Sequence, residues 1–335
     1  MRTRPPRPFR LLAAITGVLL VLTAGCSASD GAGSDASPST STWSFTDDLG
    51  KTVTLDQQPT SFAGLSDVVY SMMNYGLKPV ASFGYSDLAT DKRFDDLDTT
   101  GIVDLGKSYG EIDIEALAKA APDVIVTNQY PLDEKGTIDP KAALYGFKDV
   151  QQQEQVAKIA PIITIVMGGS AADVIKRTTE LAVALGASPD SGPVAEGKKA
   201  FDEAAAALTE AAKSGLVSQP IYAEATDVYV AKFADDPSLR MYADLGMKFV
   251  EPGGKDYYWY IVSWEKYDTI GGDLVLYSQR GLGPDQLQKQ PTFAASAAGK
   301  ANQVQMWVFA GMDYPSQAAY MNQLAGWLEE STKVT

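Results

Sequence analysis

No histidine occurs in the 335 residues, and cysteine occurs once, as Cys26. The first absence excludes Ser-His-Asp and Cys-His catalysis, and with them the imidazole clusters usual for zinc. A single thiol leaves no intrachain disulfide. Direct metal coordination is left to carboxylate, phenolate, amide or thioether groups. Cationic side chains are also in deficit: 28 Lys+Arg stand against 42 Asp+Glu, a formal charge of −14. Nucleic-acid affinity comes largely from Lys/Arg contacts to phosphate, so this balance argues against a nucleic-acid partner. It suits a soluble, secreted surface. The apolar run from Leu11 to about Leu22 is shorter than the roughly 20 residues a bilayer span takes.

That run belongs to a recognisable order of features. Arg2, Arg4, Arg7 and Arg10 precede it, and Leu22-Thr23-Ala24-Gly25-Cys26 ends it with small residues before the cysteine. The order looks like a bacterial lipoprotein signal, with residues 1–25 removed and Cys26 lipidated. A secretory signal with an unrelated cysteine and an uncleaved anchor are the other readings. The stretch that follows, SASDGAGSDASPSTST (27–42), is small and polar and predicts a flexible tether over 26–42. Loss of the four signal arginines takes the charge from −14 to −18. The expected location is extracytoplasmic, held to the cell membrane by lipid.

Within the body, IDIEALAKAAPDVIV (112–126) has a counterpart in VSWEKYDTIGGDLVL (262–276). The identical residues are Glu115/Glu265 and Asp123/Asp273. Each copy reads apolar, Asp or Ser, apolar, Glu, a helical stretch, a Gly or Pro break, then Asp and three aliphatics. Asp113 and Ser263 are good N-caps, which places each Glu in a first turn. Val124–Val126 and Leu274–Leu276 read as strands buried on both faces, as in a parallel sheet. The repeat predicts two similar α/β lobes, each a mainly parallel sheet flanked by helices. The stretch 193–214 is alanine-rich, has Pro193 near its start and Gly215 at its end, and reads as one long helix of ~33 Å. The expected layout is an N-terminal lobe over 43–190, an inter-lobe helix over 191–215 and a C-terminal lobe over 216–335. Trp43–Leu55 reads as a hairpin, Asn128–Phe147 as a long connection of functional or mobile type.

The FTDDLGKTVTL opening, the paired helix–strand units and the long helix between them, in that order, resemble the extracytoplasmic substrate-binding lipoproteins of ABC importers. The class is the one for ferric siderophores, haem and cobalamin, and the resemblance covers about 45–330. It implies a binding protein rather than an enzyme, without a cofactor, partnered by permease subunits. It implies that Glu115 and Glu265 lie on outer faces and dock on permease arginines; complementing a helix N-terminus is the alternative role for each acid.

In open parallel sheets ligands bind beyond the carboxyl ends of strands. The loops so placed carry Tyr85, Lys107, Ser108, Tyr109, Gln129 and Tyr130 in the first half. In the second they carry Tyr229, Lys232, the run Tyr257-Tyr258-Trp259-Tyr260, Arg280 and Trp307. Aromatics with a polar edge suit an amphipathic chelate, and Arg280 could donate charge-assisted bonds to oxygens around a ferric centre or pair with an acid. With tyrosine the one suitable iron ligand left of those the family uses, a fully coordinated ferric siderophore gripped through its outer shell is expected. The acidic body points to a neutral or cationic hydroxamate. Haem, cobalamin or another organic nutrient is the alternative within the class. A surface hydrolase using two carboxylates is the alternative outside it, and an adhesive surface protein, which needs no cleft, is the third.

Overall fold

A computed structural model describes residues 42–335. The signal segment, Cys26 and all but the last residue of the tether lie outside the described residues. Trp43–Thr46 (β1) and Thr52–Leu55 (β2) form the antiparallel hairpin that the alternation predicts. The first half is then built on a wholly parallel sheet. Its strands are Phe62–Leu65 (β3), Ala81–Phe83 (β4), Val103–Asp104 (β5), Val124–Gln129 (β6) and Ile162–Val166 (β7), in the order β5-β4-β3-β6-β7. All six residues of β6 are buried, as expected of a strand covered on both faces.

The second half holds a mixed sheet. Val217–Ala223 (β8), Asp227–Ala231 (β9), Lys248–Phe249 (β10), Trp259–Ser263 (β11), Leu274–Ser278 (β12) and Val304–Trp307 (β13) run in the order β11-β9-β8-β12-β13, with β10 also on β8. The pairs β8–β12, β12–β13 and β8–β10 are parallel, whereas β9 and β11 return antiparallel. One edge of β8 meets β10 at Val217 and Ser218 and β9 from Ile221 onward. Pro220 falls between those two partners, at a place where a missing N–H interrupts no ladder.

The repeat is real in three dimensions. Asp123 accepts bonds from the backbone and hydroxyls of Thr60 and Ser61, just ahead of β3. Asp273 accepts from Val217 at the start of β8 and from the backbone of Val334 and Thr335. Each aspartate therefore ties the start of one central strand to the start of its parallel neighbour. The caps are less alike. Asp113 accepts from Ala116 N and starts the helix Ile114–Ala120, but Ser263 makes no such bond and opens a 3₁₀ helix, Trp264–Thr269.

Gly192–Ala211 is the long helix, with Pro near its start, continued by a 3₁₀ turn to Ser214. Val194 sits in the core of the first half, and Ala204, Leu208 and Ala211 in that of the second. Phe201 touches both cores and stacks edge-on against Tyr314 of the last helix, Tyr314–Glu330. Among the described residues no helix is long and apolar enough to cross a membrane.

Candidate ligand-binding groove between the two sheets

The groove is built from both sheets. On the second, Tyr222 of β8 is directly opposite Tyr229 of β9, and Tyr229 opposite Ile261 of β11. Cross-strand partners share a face, so these three form one patch, while Ile221, Val228, Val230 and Val262 enter the core behind it. Ile261 is 57% exposed, a large apolar side chain left open on that patch. From the first sheet come Tyr85 after β4 and Tyr130 after β6. The connection after β6 then folds back, and Tyr145 is fixed there by Tyr145 N→Asn128 O and Thr127 Oγ1→Tyr145 O. Gly146 makes this return possible: its φ is +94°, and a Cβ would lie 2.8 Å from the Phe83 ring. Tyr145 stands at the centre of a tyrosine cluster, with ring centroids 4.7 Å from Tyr130, 5.4 Å from Tyr109 and 6.1 Å from Tyr85.

Three adjoining hollows result. The largest, about 370 Å³, lies between Tyr85 and Tyr145 on one side and Tyr222, Tyr229, Trp259 and Arg280 on the other. A second of about 330 Å³ shares Tyr85 and Arg280 with it, and a third of about 240 Å³ shares Tyr145, Trp259 and Phe309. Together they are of the size of small-molecule sites, aromatic with a few placed polar groups.

Charge under the groove is concentrated at Asp67, in the first turn of the helix Ser66–Asn74. Arg93 of the first half and Arg280 of the second each place a guanidinium nitrogen 2.8 Å from Asp67 Oδ1. Arg93 also holds Asp91 at 2.6 Å. Burial pushes the Asp67 carboxyl up, but Arg280 and Arg93 outweigh it and hold it below the usual range. Arg280 is fixed between aromatic faces, 3.9 Å from the Tyr85 centroid and 4.4 Å from that of Phe309. Burial raises the phenols of Tyr85, Tyr130, Tyr145 and Tyr258, so they stand as neutral hydrogen-bond donors at neutral pH. Tyr222 is pushed up to about 12 by its bond to Glu224.

Residues 91–308 match the periplasmic binding protein family. The chain belongs to that family. Its fold is shared with the DesE ferric-siderophore receptor of Streptomyces coelicolor, 28% identical, with a TM-score of 0.77 over 88% of this chain and 100% of that one. It is also shared with the petrobactin-binding protein YclQ of Bacillus subtilis, at 16% identity and TM-score 0.66 over 86% and 99% of the two chains. PiuA of Streptococcus pneumoniae, an iron uptake ABC transporter substrate-binding protein, gives 16% and 0.62 over 85% and 98%. Among curated proteins nothing matches the chain. The family and these neighbours are binding proteins for transport, which removes the carboxylate-pair hydrolase.

In this periplasmic binding protein the expected site residues divide by position. Tyr85, Tyr130, Tyr229, Tyr257, Tyr258, Trp259 and Arg280 line the hollows. Tyr109 sits at the rim, 43% exposed against Tyr85 and Tyr145. Lys107 lines none of the three hollows and is exposed, 3.9 Å from Asp87. Lys232 holds backbone carbonyls of Gly254 and Asp256. Gln129 is buried in β6, and Trp307 is buried under the floor, stacked at 5.2 Å on Phe309. Sequence reading passed over Tyr145, Tyr222, Phe309 and Asp67. Tyr145 lies near the end of a long connection, Tyr222 within β8 and Phe309 just past β13, and nothing local marks Asp67 as the partner of arginines 26 and 213 positions away. Glu115 and Glu265 are exposed, each in a first helical turn.

Proposed function

We propose that the protein captures a ferric siderophore in the groove and delivers it to an ABC permease, tethered outside the cytoplasm by lipid on Cys26. The observation that carries this is the likeness to the Streptomyces coelicolor ferric-siderophore receptor along that protein's whole length, joined to an aromatic groove of matching scale. In this reading residues 1–25 are the signal and 26–42 the tether, and 43–190 and 216–335 are lobes linked by 191–215. Arg280, Tyr85 and the rings around Trp259 grip the chelate through its outer shell. Arg280 in the groove is already paired with Asp67, Arg93 beneath it with Asp67 and Asp91, and Glu224 adds an acid. Such a groove offers little to a trianionic catecholate and favours a neutral or cationic hydroxamate.

Tryptophan fluorescence of the 43–335 fragment tests the reading, because Trp259 lines the groove and Trp307 underlies it. The panel is a ferrioxamine, a ferric catecholate, ferric citrate, haem and cobalamin. Sub-micromolar quenching by the ferrioxamine is expected, and silence from every iron chelate would overturn the assignment. For docking, Glu115→Ala combined with Glu265→Ala is expected to abolish uptake with ligand affinity retained. Loss of affinity would place those acids in the site instead.

A further inference from the structure

The third hollow differs in kind from its neighbours. Tyr130, Tyr145, Tyr257, Tyr258, Trp259 and Phe309 bound it, with Pro131, and among the described residues no charged side chain lines it. The other two expose Arg280, with Lys92 in one and Glu224 in the other. Its neighbouring rings do not stack flat. Tyr130 meets Tyr145 at 66°, Tyr257 meets Tyr258 at 61°, and Tyr258 meets Trp259 at 67°. Rings turned 61–67° to one another form walls around a space instead of a single slab.

The walls are held by acids. Tyr258 donates its hydroxyl to Asp236 Oδ2 at 2.6 Å and its backbone N–H to Asp235 Oδ2 at 3.0 Å. Tyr257 donates its hydroxyl to Asp235 O. Asp236 is buried and caps the helix Pro237–Asp244. Among the described residues it forms no ion pair; the nearby Arg240 directs its guanidinium to the carbonyls of Ala234 and Gly169. Tyr258 itself has φ +68°, a conformation a bulky residue adopts at a cost. Strain of this sort points to function when surrounding bonds enforce it, and here two bonds to neighbouring aspartates do so. A phenol donating to a carboxylate has a more electron-rich ring, so the same acids strengthen the ring faces.

We propose that this hollow is a subsite for a protonated alkylammonium group carried by the ligand. The proposal rests on the siderophore reading and names the chemistry of one arm of the chelate. Aromatic faces without a competing cation, with the buried carboxylate of Asp236 hydrogen-bonded behind Tyr258, are complementary to an ammonium head on an apolar stem. The hollow, about 240 Å³, has room for a short aminoalkyl arm, and it shares Tyr145, Trp259 and Phe309 with the larger hollow where the ferric centre would sit.

The test compares a linear ferric trihydroxamate bearing a free terminal amine with its N-acetyl derivative, titrated by calorimetry against the 43–335 fragment. The amine form is expected to bind about tenfold tighter or more, and Tyr257→Leu to narrow that ratio. Equal affinity, or tighter binding of the acetyl form, overturns the subsite and leaves the siderophore reading standing. Failure of both chelates overturns the hydroxamate choice within the siderophore reading, and the cage is then decided with n-pentylammonium against 1-pentanol. Ammonium binding with a preference of about tenfold supports the cage; no preference, or no binding of either, overturns it.

Discussion

Asp67 is an acid on which an arginine from each half converges, and its removal has a calculable asymmetry. Asp67→Asn leaves Arg93 and Arg280 buried near one another without the charge they share. Stranding a buried ion of this type costs about 3–5 kcal/mol. Arg280→Gln leaves Asp67 with Arg93, so its cost is nearer the roughly 1.5–3 kcal/mol of one lost charged hydrogen bond. Urea denaturation of the two variants should therefore rank Asp67→Asn as the more destabilised. The reverse order would show that Arg93 alone does not satisfy Asp67. Arg280→Gln has a second effect that Asp67 cannot share directly: it removes the guanidinium held between Tyr85 and Phe309 in the groove wall.

At the scale of elements, the paired aspartates separate fold from site. Asp123 and Asp273 lie at the starts of β6 and β12, whereas the groove lies beyond their carboxyl ends. Six residues of strand put Asp123 on the order of 20 Å from Tyr130. Asp123→Ala leaves the Thr60 and Ser61 donors without their acceptor, a loss of about 1–3 kcal/mol, with ligand affinity unchanged. Burial raises the Asp123 carboxyl, but its bonds from Thr60 and Ser61 outweigh that and hold it low. A depressed carboxyl stabilises the fold above its unfolded pKa of about 4, and the contribution is lost as pH falls through the folded value. The gap in Tm between wild type and Asp123→Ala should thus shrink on acidification below about pH 4; a gap that persists there would mean the carboxylate charge is not what Thr60 and Ser61 need. These elements were also the legible ones. A cap, a break, an aspartate and three aliphatics are local signals, and they located β6, β12 and the helices before them. β3 escaped because Gly64 interrupts its pattern, for a reason visible only in the fold: a Cβ there would meet Val126 Cγ2 at 2.4 Å. β11 escaped because its aromatic run reads equally as a binding loop, and it serves as both strand and groove wall. Tyr145 needed the return of an irregular connection that no periodicity describes.

The whole molecule is joined more tightly than one connecting helix requires. Val194 anchors the start of the helix Gly192–Ala211 in one core, and Leu208 its end in the other. Beside it, Asn74 Nδ2 donates to Asp313 Oδ2 at 3.3 Å, and Tyr314 N donates to Tyr75 Oη at 3.1 Å. Met312, which precedes the last helix, is buried in the first half's core. Asp67–Arg280 closes a further link beside the groove itself. A wide hinge swing would have to break these contacts together, whereas a small rocking can keep the helix and its cores intact. Small-angle scattering of the 43–335 fragment, with and without a ferric hydroxamate, should accordingly show a radius of gyration constant to within about 1 Å of the value near 19 Å that its length implies. A larger compaction would mean that the Asn74–Asp313, Tyr75–Tyr314 and Asp67–Arg280 links open in the free protein. The groove would then be assembled by the ligand rather than waiting for it.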